Sequence, residues 1–501
     1  MKLRVSKIGM WTFCSSLFMG IWAHGFMFAN KISFHDDMWC MREFGATIHS
    51  ERWFLWVLEF LGQIFSINIS SSWYNGILAL LLLALSASIL VEILNVENVI
   101  NALLMGAVIT VFPVVAATYA YMFTSWQYML GILLAHIAVW IGTTDLMDNK
   151  MWYLIGTLVL GMSLGLYQAY ISVFASIVVL YLLTLVNKQE YSARIVVRKV
   201  VDYVIMGIGG IIVYLCANHV LAWKFNVIST YKEKPILKVL EAIRACYSNY
   251  IEYLSVEYLG VNEFWGIRLL TLVIVILSVV LSCIAINKQK DIVNRVFFIV
   301  LILIFPMAVN FVCVITLDSV KLHSLMVYGL VYIYILPILL VDNLWIKGWN
   351  RTFISKLLIG SLCMVIILFT KLDNVAYLKC NFVKEQAQTY YSTLLTRIQM
   401  LEGYKNTYPI AFINIEQAFD STMTDLTDFR VELTAIEGNM QDVISGYSYK
   451  NYLKYYCGYD PQWANDVQIK NLENSSEFIK LPKYPDEGAI SFIDDIIVVK
   501  F

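Results

Sequence analysis

Apolar runs long enough to cross a hydrocarbon core recur along this chain, and they constrain its fold more than any other feature. A helix rises about 1.5 Å per residue, so roughly 17 to 25 apolar residues cross a bilayer. About eleven such runs are readable, near 8–30, 76–92, 99–120, 127–143, 152–166, 169–186, 203–222, 267–286, 296–315, 324–341 and 357–371. The fifth is short, which suggests tilt or a helix pair that turns inside the protein. The first is too long for a signal-peptide core and has no small-residue cleavage site before Lys31, so it is expected to stay as an anchor. Composition agrees: 59% of the 501 residues are hydrophobic, 15% are charged, and mean hydropathy is +0.68. The expected fold class is a polytopic α-helical membrane protein with about 11 transmembrane helices.

Orientation follows from the short loops that carry Lys and Arg. Lys2, Arg4 and Lys7 precede the first run; Lys188, Arg194, Arg198 and Lys199 follow the sixth; Lys288, Lys290 and Arg295 follow the eighth; Lys347, Arg351 and Lys356 follow the tenth. All fall on one side, which the positive-inside rule makes cytoplasmic. The expectation is a multi-pass protein of the cell membrane with a cytoplasmic N-terminus. The loops 31–75 and 223–266, the short loop holding Asp318 and Lys321, and everything beyond 372 then lie outside.

The end of the chain differs in character. Residues 376–402 read as an amphipathic helix leaving the membrane, 408–415 as a buried strand, 440–456 as a helix and 488–501 as one or two strands. A segment of roughly 125 residues can bury its own core. Residues 1–372 are therefore expected to form a transmembrane body and 373–501 a small extracytoplasmic α/β domain.

A net charge of -1 without a clustered basic face argues against nucleic acid as a partner. The nine cysteines show no paired metal spacing and no metal ligand set is expected; a disulfide among Cys40, Cys246, Cys380 and Cys457 stays open. "GIGGII" at 207–212 lies inside a span with no soluble strand before it, so it reads as close helix packing through small residues.

Directly after the first run, "FHDDMWCMREF" (34–44) sets Asp36 and Asp37 beside the membrane. In the following "MREFGATIHSERWFLWVLEFLGQ", Arg42, His49, Arg52, Glu59 and Gln63 are spaced to share one face of a helix, predicting an amphipathic helix along the interface. That stripe can rest on lipid headgroups, or it can face a cavity in which Arg52 binds a phosphate through its planar fork. An ionised carboxylate within reach of a hydroxyl can act as a general base. Further polar residues fall at the same level: Tyr167, Gln168 and Tyr170 between the fifth and sixth runs, Trp126 and Gln127 in "FTSWQ", and Lys321 and His323 in another short loop. Gln168 fits a helix–helix hydrogen bond or a substrate contact, and Lys321 fits a phosphate or a headgroup.

Together, "SFHDDMW" after the first run, "ERW" at the interfacial helix and "LGLYQAYISV" (164–173) resemble the type II Gtr glucosyltransferases, which include enzymes that glucosylate O-antigen. Family members often carry Gly where this chain has Glu51. The resemblance implies a GT-C-like architecture and transfer of a hexose, glucose by resemblance, from a polyprenyl-phosphate-sugar donor to a cell-surface glycan or its lipid-linked precursor. Asp36 or Asp37 would be the catalytic base, Arg52 and Lys321 would hold the donor phosphate, and His35, Tyr167, Gln168, Tyr170 and Gln127 would contact substrate. No cofactor is fixed by this reading; a divalent cation occurs in some enzymes of this architecture. A transporter or flippase would call for ionisable residues inside the spans and duplicated halves, neither of which is evident. A polysaccharide polymerase or ligase would share the same chemistry, and the carboxylate pair directly after the first run favours the transferase.

Overall fold

The computed structural model describes residues 6–32, 34–65, 67–143, 150–188, 193–227, 239–255, 265–316, 322–345, 353–417 and 444–501, with Leu426 and Leu433. Helix α1 (Lys7–Ala29) leads into the short α2 (His35–Trp39), then α3 (Trp53–Ile64) and α4 (Ser72–Ile93). One traverse is shared by α5 (Val99–Val111) and α6 (Pro113–Ala120), followed by α7 (Ser125–Thr143), α8 (Lys150–Leu166), α9 (Ile171–Lys188) and α10 (Ala193–Phe225). Next come α11 (Val239–Ser255), α12 (Trp265–Lys288), α13 (Ile292–Val309), α14 (Val312–Thr316), α15 (Tyr332–Trp345) and the 47-residue α16 (Phe353–Gln399). Ten segments among the described residues are long and apolar enough to cross a membrane, and α8, shorter than these, occupies the fifth span read from the sequence.

Residues far apart in sequence meet at two ends of the bundle. At one end Ser6 N donates to Glu92 Oε1 at 3.0 Å, pinning α1 to α4. There too the Asp342 carboxylate accepts from the backbone N–H of Glu97 and Asn98 at 3.0 and 3.1 Å, an anion set at the start of α5 where unpaired N–H groups favour it. The opposite end carries α2 and α3.

The traverse expected as one helix over 99–120 breaks at Phe112, whose extended backbone (φ -65°, ψ 131°) precedes Pro113. Pro113 cannot bond the carbonyl of Ile109, and the break frees that of Thr110 as well. Tyr328 OH donates to Ile109 O at 3.1 Å and His24 Nε2 to Thr110 O at 2.9 Å, so neighbouring helices replace the lost partners. A close approach holds α1 on α5: a Cβ on Gly106 would stand 2.6 Å from the Thr12 carbonyl oxygen. On the periphery, α10 exposes Val197, Val201, Val204, Ile205, Ile208 and Ile212 at three- to four-residue spacing, the stripe a lipid-facing helix presents, whereas α9 is almost wholly enclosed.

The separate helices expected over 357–371 and 376–402 are one helix, α16. Asn374, which falls between those two ranges, is accommodated because its Nδ2 donates to Thr370 O at 2.8 Å and reaches the Trp22 and Ala23 carbonyls of α1 at 3.2 Å each. Beyond α16 lie β1 (Ile410–Ile413), α17 (Tyr449–Tyr456), α18 (Asp466–Glu473), α19 (Ser476–Lys480), β2 (Ile490–Ile493) and β3 (Ile496–Lys500). The sheet order is β1-β3-β2, with β1 parallel and β2 antiparallel to the buried central β3. The hairpin turns through Asp494 and Asp495, both at positive φ (49° and 57°), as a two-residue turn matched to strand twist requires. The helix expected over 440–456 is shorter than predicted: α17 starts at Tyr449 after a turn, and 440–443 fall outside the described residues. All nine cysteines are free thiols, so none of the four considered for a disulfide is paired.

Candidate active site

The two adjacent carboxylates of α2 are assigned to different neighbours by the helix that carries them. Successive residues diverge by about 100° around a helix axis. Asp37 turns inward, only 2% exposed, and its Oδ1 accepts from Phe123 N at 2.8 Å and from Ser70 Oγ at 3.1 Å. It thereby ties α2 to the connection between α6 and α7 and to the segment before α4. Asp37→Ala is expected to strand the buried Phe123 N–H and to lower stability by about 1–3 kcal/mol, read as a drop in the thermal aggregation midpoint of the purified protein.

Asp36 faces the other way. Its Oδ1 accepts from His35 Nδ1 at 3.0 Å and from the hydroxyl of Tyr447, and its side chain is 36% exposed. Burial pushes the Asp36 carboxyl up, but the hydrogen bonds from His35 and Tyr447 and the electrostatic pull of His35 and Arg52 outweigh it and hold the carboxyl below its ordinary value. Tyr447 lies over 400 residues away, just before α17, and nothing in its sequence neighbourhood marks it. Burial and the Asp36 carboxylate together push its phenol up, which keeps it a hydrogen-bond donor. Next to them, Met38 is buried in a core shared with Tyr391 and Leu394 of α16 and Tyr452 of α17. Thus α2 is held from both sides.

The continuous interfacial helix expected from Arg42 onward does not form. Gly45 at φ +78° and Glu51 at φ 56° adopt left-handed backbone that no helix can contain, and α3 begins only at Trp53. Arg42 and His49 therefore sit in exposed connecting chain, and Arg52 is the N-cap of α3. Glu59 turns toward the loop, its Oε1 accepting from Phe44 N at 3.0 Å; burial, against that bond, pushes its carboxyl up. Gln63 is exposed.

The Arg52 guanidinium lies over two tyrosine rings, its Cζ 5.2 Å from the centroid of Tyr167 and 5.7 Å from that of Tyr128. Those two rings stack on each other at 5.0 Å. A glycine makes this approach feasible: a Cβ on Gly165 would stand 2.3 Å from Trp53 Nε1, so only glycine lets α8 end against the start of α3. The "LGLYQAYISV" stretch thus supplies both the space and the ring that place Arg52. Gln168 is buried, with Nε2 3.4 Å from Ser50 O; Tyr170 is buried against Gly131. Gln127, read as facing outward, is fully enclosed because α7 already begins at Ser125. Lys321 lies outside the described residues, whereas His323 is described. Tyr121, whose phenol is pushed up by burial and then by the Asp36 carboxylate, and Tyr128 carry no sequence signal because tyrosine at a membrane boundary is ordinary.

Beside this site, Leu58, Leu61, Phe65, Ile69, Tyr74 and Trp126 help line an apolar cavity of ≈ 160 Å³ between α3 and α4. Phe123, held by Asp37, forms part of its wall. Among the described residues no three His, Cys, Asp or Glu side chains converge in a way that could hold a metal ion.

A family model described as Glucosyl transferase GtrII matches residues 25–334. No curated protein and no solved structure matches the chain.

Proposed function

The chain belongs to the glucosyl transferase GtrII family and is a membrane-embedded glucosyltransferase, and from that premise we propose that it takes glucose from a polyprenyl-phosphate donor and delivers it to a cell-surface glycan, or its lipid-linked precursor, on the extracytoplasmic face. The observation that carries this reading is the pairing of a half-exposed carboxylate kept easily ionised, Asp36, with a cation, Arg52, that acts on it electrostatically at one end of the bundle. In this scheme Asp36 removes the proton of the acceptor hydroxyl. The acceptor oxygen bonds to the anomeric carbon while the bond from that carbon to the phosphate oxygen breaks, leaving the electron pair on the polyprenyl phosphate. Arg52 meets the phosphate and stabilises the negative charge as it develops; Tyr128 and Tyr167 hold the guanidinium in place. Lys321 is a second candidate for that role. His35, Tyr167, Gln168, Tyr170 and Gln127 shape the sugar site, the buried ones from behind its surface. The apolar cavity between α3 and α4 suits the isoprenoid next to the phosphate, since its rim residues Leu61, Phe65, Ile67 and Tyr74 are exposed as a lipid-facing surface would be. On this reading residues 1–372 are the catalytic body and 373–501 an extracytoplasmic domain.

The test supplies the purified chain in lipid nanodiscs with polyprenyl-phosphate [14C]glucose and the surface glycan extracted from a strain deleted for this chain. Label should pass into glycan, and UDP-glucose should not substitute. Transfer from UDP-glucose alone would sink the lipid-donor reading.

A further inference from the structure

We infer that Tyr447 and His35 hold one oxygen of Asp36 so that the other, Oδ2, is presented to the acceptor, which makes Tyr447 a positioning residue supplied by the C-terminal part of the chain. This rests on Asp36 being the base.

Three observations support it. Among the described residues both hydrogen bonds to the carboxylate end on the same atom, Oδ1, one from His35 Nδ1 at 3.0 Å and one from the Tyr447 hydroxyl, whose oxygen also meets His35 Nδ1 and so closes a triangle of the three groups. A carboxylate only accepts, so the His35 nitrogen facing it carries the proton. Secondly, the Tyr447 ring is braced, edge-on to His35 at 5.4 Å and to Trp39 at 5.9 Å. Thirdly, the helix that follows is docked on α2, because Asn451 Nδ2 donates to Met38 O at 3.2 Å and Met38 shares a core with Tyr452.

Physically, the terminal torsion of aspartate is broad, so an unrestrained carboxylate points its lone pairs over a wide range. Two donors on Oδ1 narrow that range and leave Oδ2 as the proton acceptor. In the reaction the acceptor proton passes to Oδ2, while Tyr447 and His35 keep theirs. Among the described residues, the titratable groups that interact with Asp36 are His35 and Cys40 from α2 and its end, Arg52 at the start of α3, Tyr121 from the connection before α7, and Tyr447. Among the described residues, His35 and Tyr447 are the two that hydrogen-bond to it.

Tyr447→Phe keeps the ring and removes the hydroxyl. It is compared with the parent and with Asp36→Asn as full chains in nanodiscs, using polyprenyl-phosphate [14C]glucose and surface glycan from the deletion strain. Tyr447→Phe should lower kcat about tenfold, the size of one charge-assisted hydrogen bond, with donor KM within about twofold. The acid limb of kcat should also move to higher pH. Asp36 works ionised, activity fails as pH falls through its folded value, and loss of a donor lets that value climb back. His35→Ala should move the limb the same way, which keeps the idea testable if Tyr447→Phe fails to fold. An unchanged kcat and acid limb in Tyr447→Phe, beside an inactive Asp36→Asn, would overturn the positioning role and leave the base standing. A lower acceptor KM at parental kcat would also overturn it, since the phenol would then be competing for the acceptor's place. Parental transfer by Asp36→Asn would instead remove the base itself.

Discussion

Asp36→Asn is expected to cut glucose transfer by about 10²- to 10⁴-fold, the usual worth of a general base, or about 2.7–5.5 kcal/mol of activation free energy. The asparagine side chain is nearly the same size and still offers an oxygen to His35 Nδ1 and the Tyr447 hydroxyl, so α2 keeps its place. What it loses is the capacity to take a proton. Donor KM should therefore stay near the parental value while kcat collapses, a split that marks an interaction needed only in the transition state. The measurement is initial-rate transfer of labelled glucose with the mutant matched to the parent for expression and monodispersity. Near-parental rates would make the exposed carboxylate a solvated turn residue and nothing more. The parental enzyme should also lose activity only well on the acid side of neutrality, because the contacts around Asp36 favour its ionised form.

The two carboxylates illustrate what the sequence can and cannot disclose. Adjacency alone says that Asp36 and Asp37 cannot serve the same atom, and the structure gives them separate partners. Which one is enclosed depends on Ser70 and Phe123, and which one stays half-open depends on Tyr447. None of these neighbours is signalled by periodicity. The long apolar helices are legible because lipid imposes a length and a polarity on every traverse, and the shorter α8 coincides with the fifth run. The expected interfacial helix is longer than α3 because periodic spacing of Arg42, His49, Arg52 and Glu59 carries no information on backbone sign. Gly45 is the visible cue to a break, but Glu51 in left-handed backbone is not predictable from its residue type. Similarly, two helices are expected over 357–371 and 376–402 because the apolar runs shorten between them, whereas the α1 carbonyls that satisfy Asn374 within the single helix come from the far end of the chain.

The second large effect is expected at Arg52, where the competing account is an arginine resting on lipid headgroups. An interfacial contact of that kind is worth little, and its loss should leave donor use unchanged. The geometry differs from a headgroup contact in two respects. The guanidinium lies over Tyr167 and Tyr128, and it lies near enough to Asp36 to help keep that carboxyl ionised. A phosphate clamp held in this way contributes on the order of 1.5–3 kcal/mol through charge-assisted hydrogen bonds, so Arg52→Ala should raise donor KM by about 10- to 150-fold. Arg52→Lys should recover only part of the loss, because an ammonium keeps the charge but not the planar fork that stacks on tyrosine and meets phosphate bidentately. Removing the cation should also displace the acid limb of kcat upward, in the same direction as loss of the Tyr447 hydroxyl, since both favour the ionised carboxylate. Donor titrations on matched preparations read the first effect and pH profiles the second. Parental donor KM in a well-folded Arg52→Ala protein would return this residue to the lipid surface and leave the phosphate to another cation, with Lys321 the next to replace.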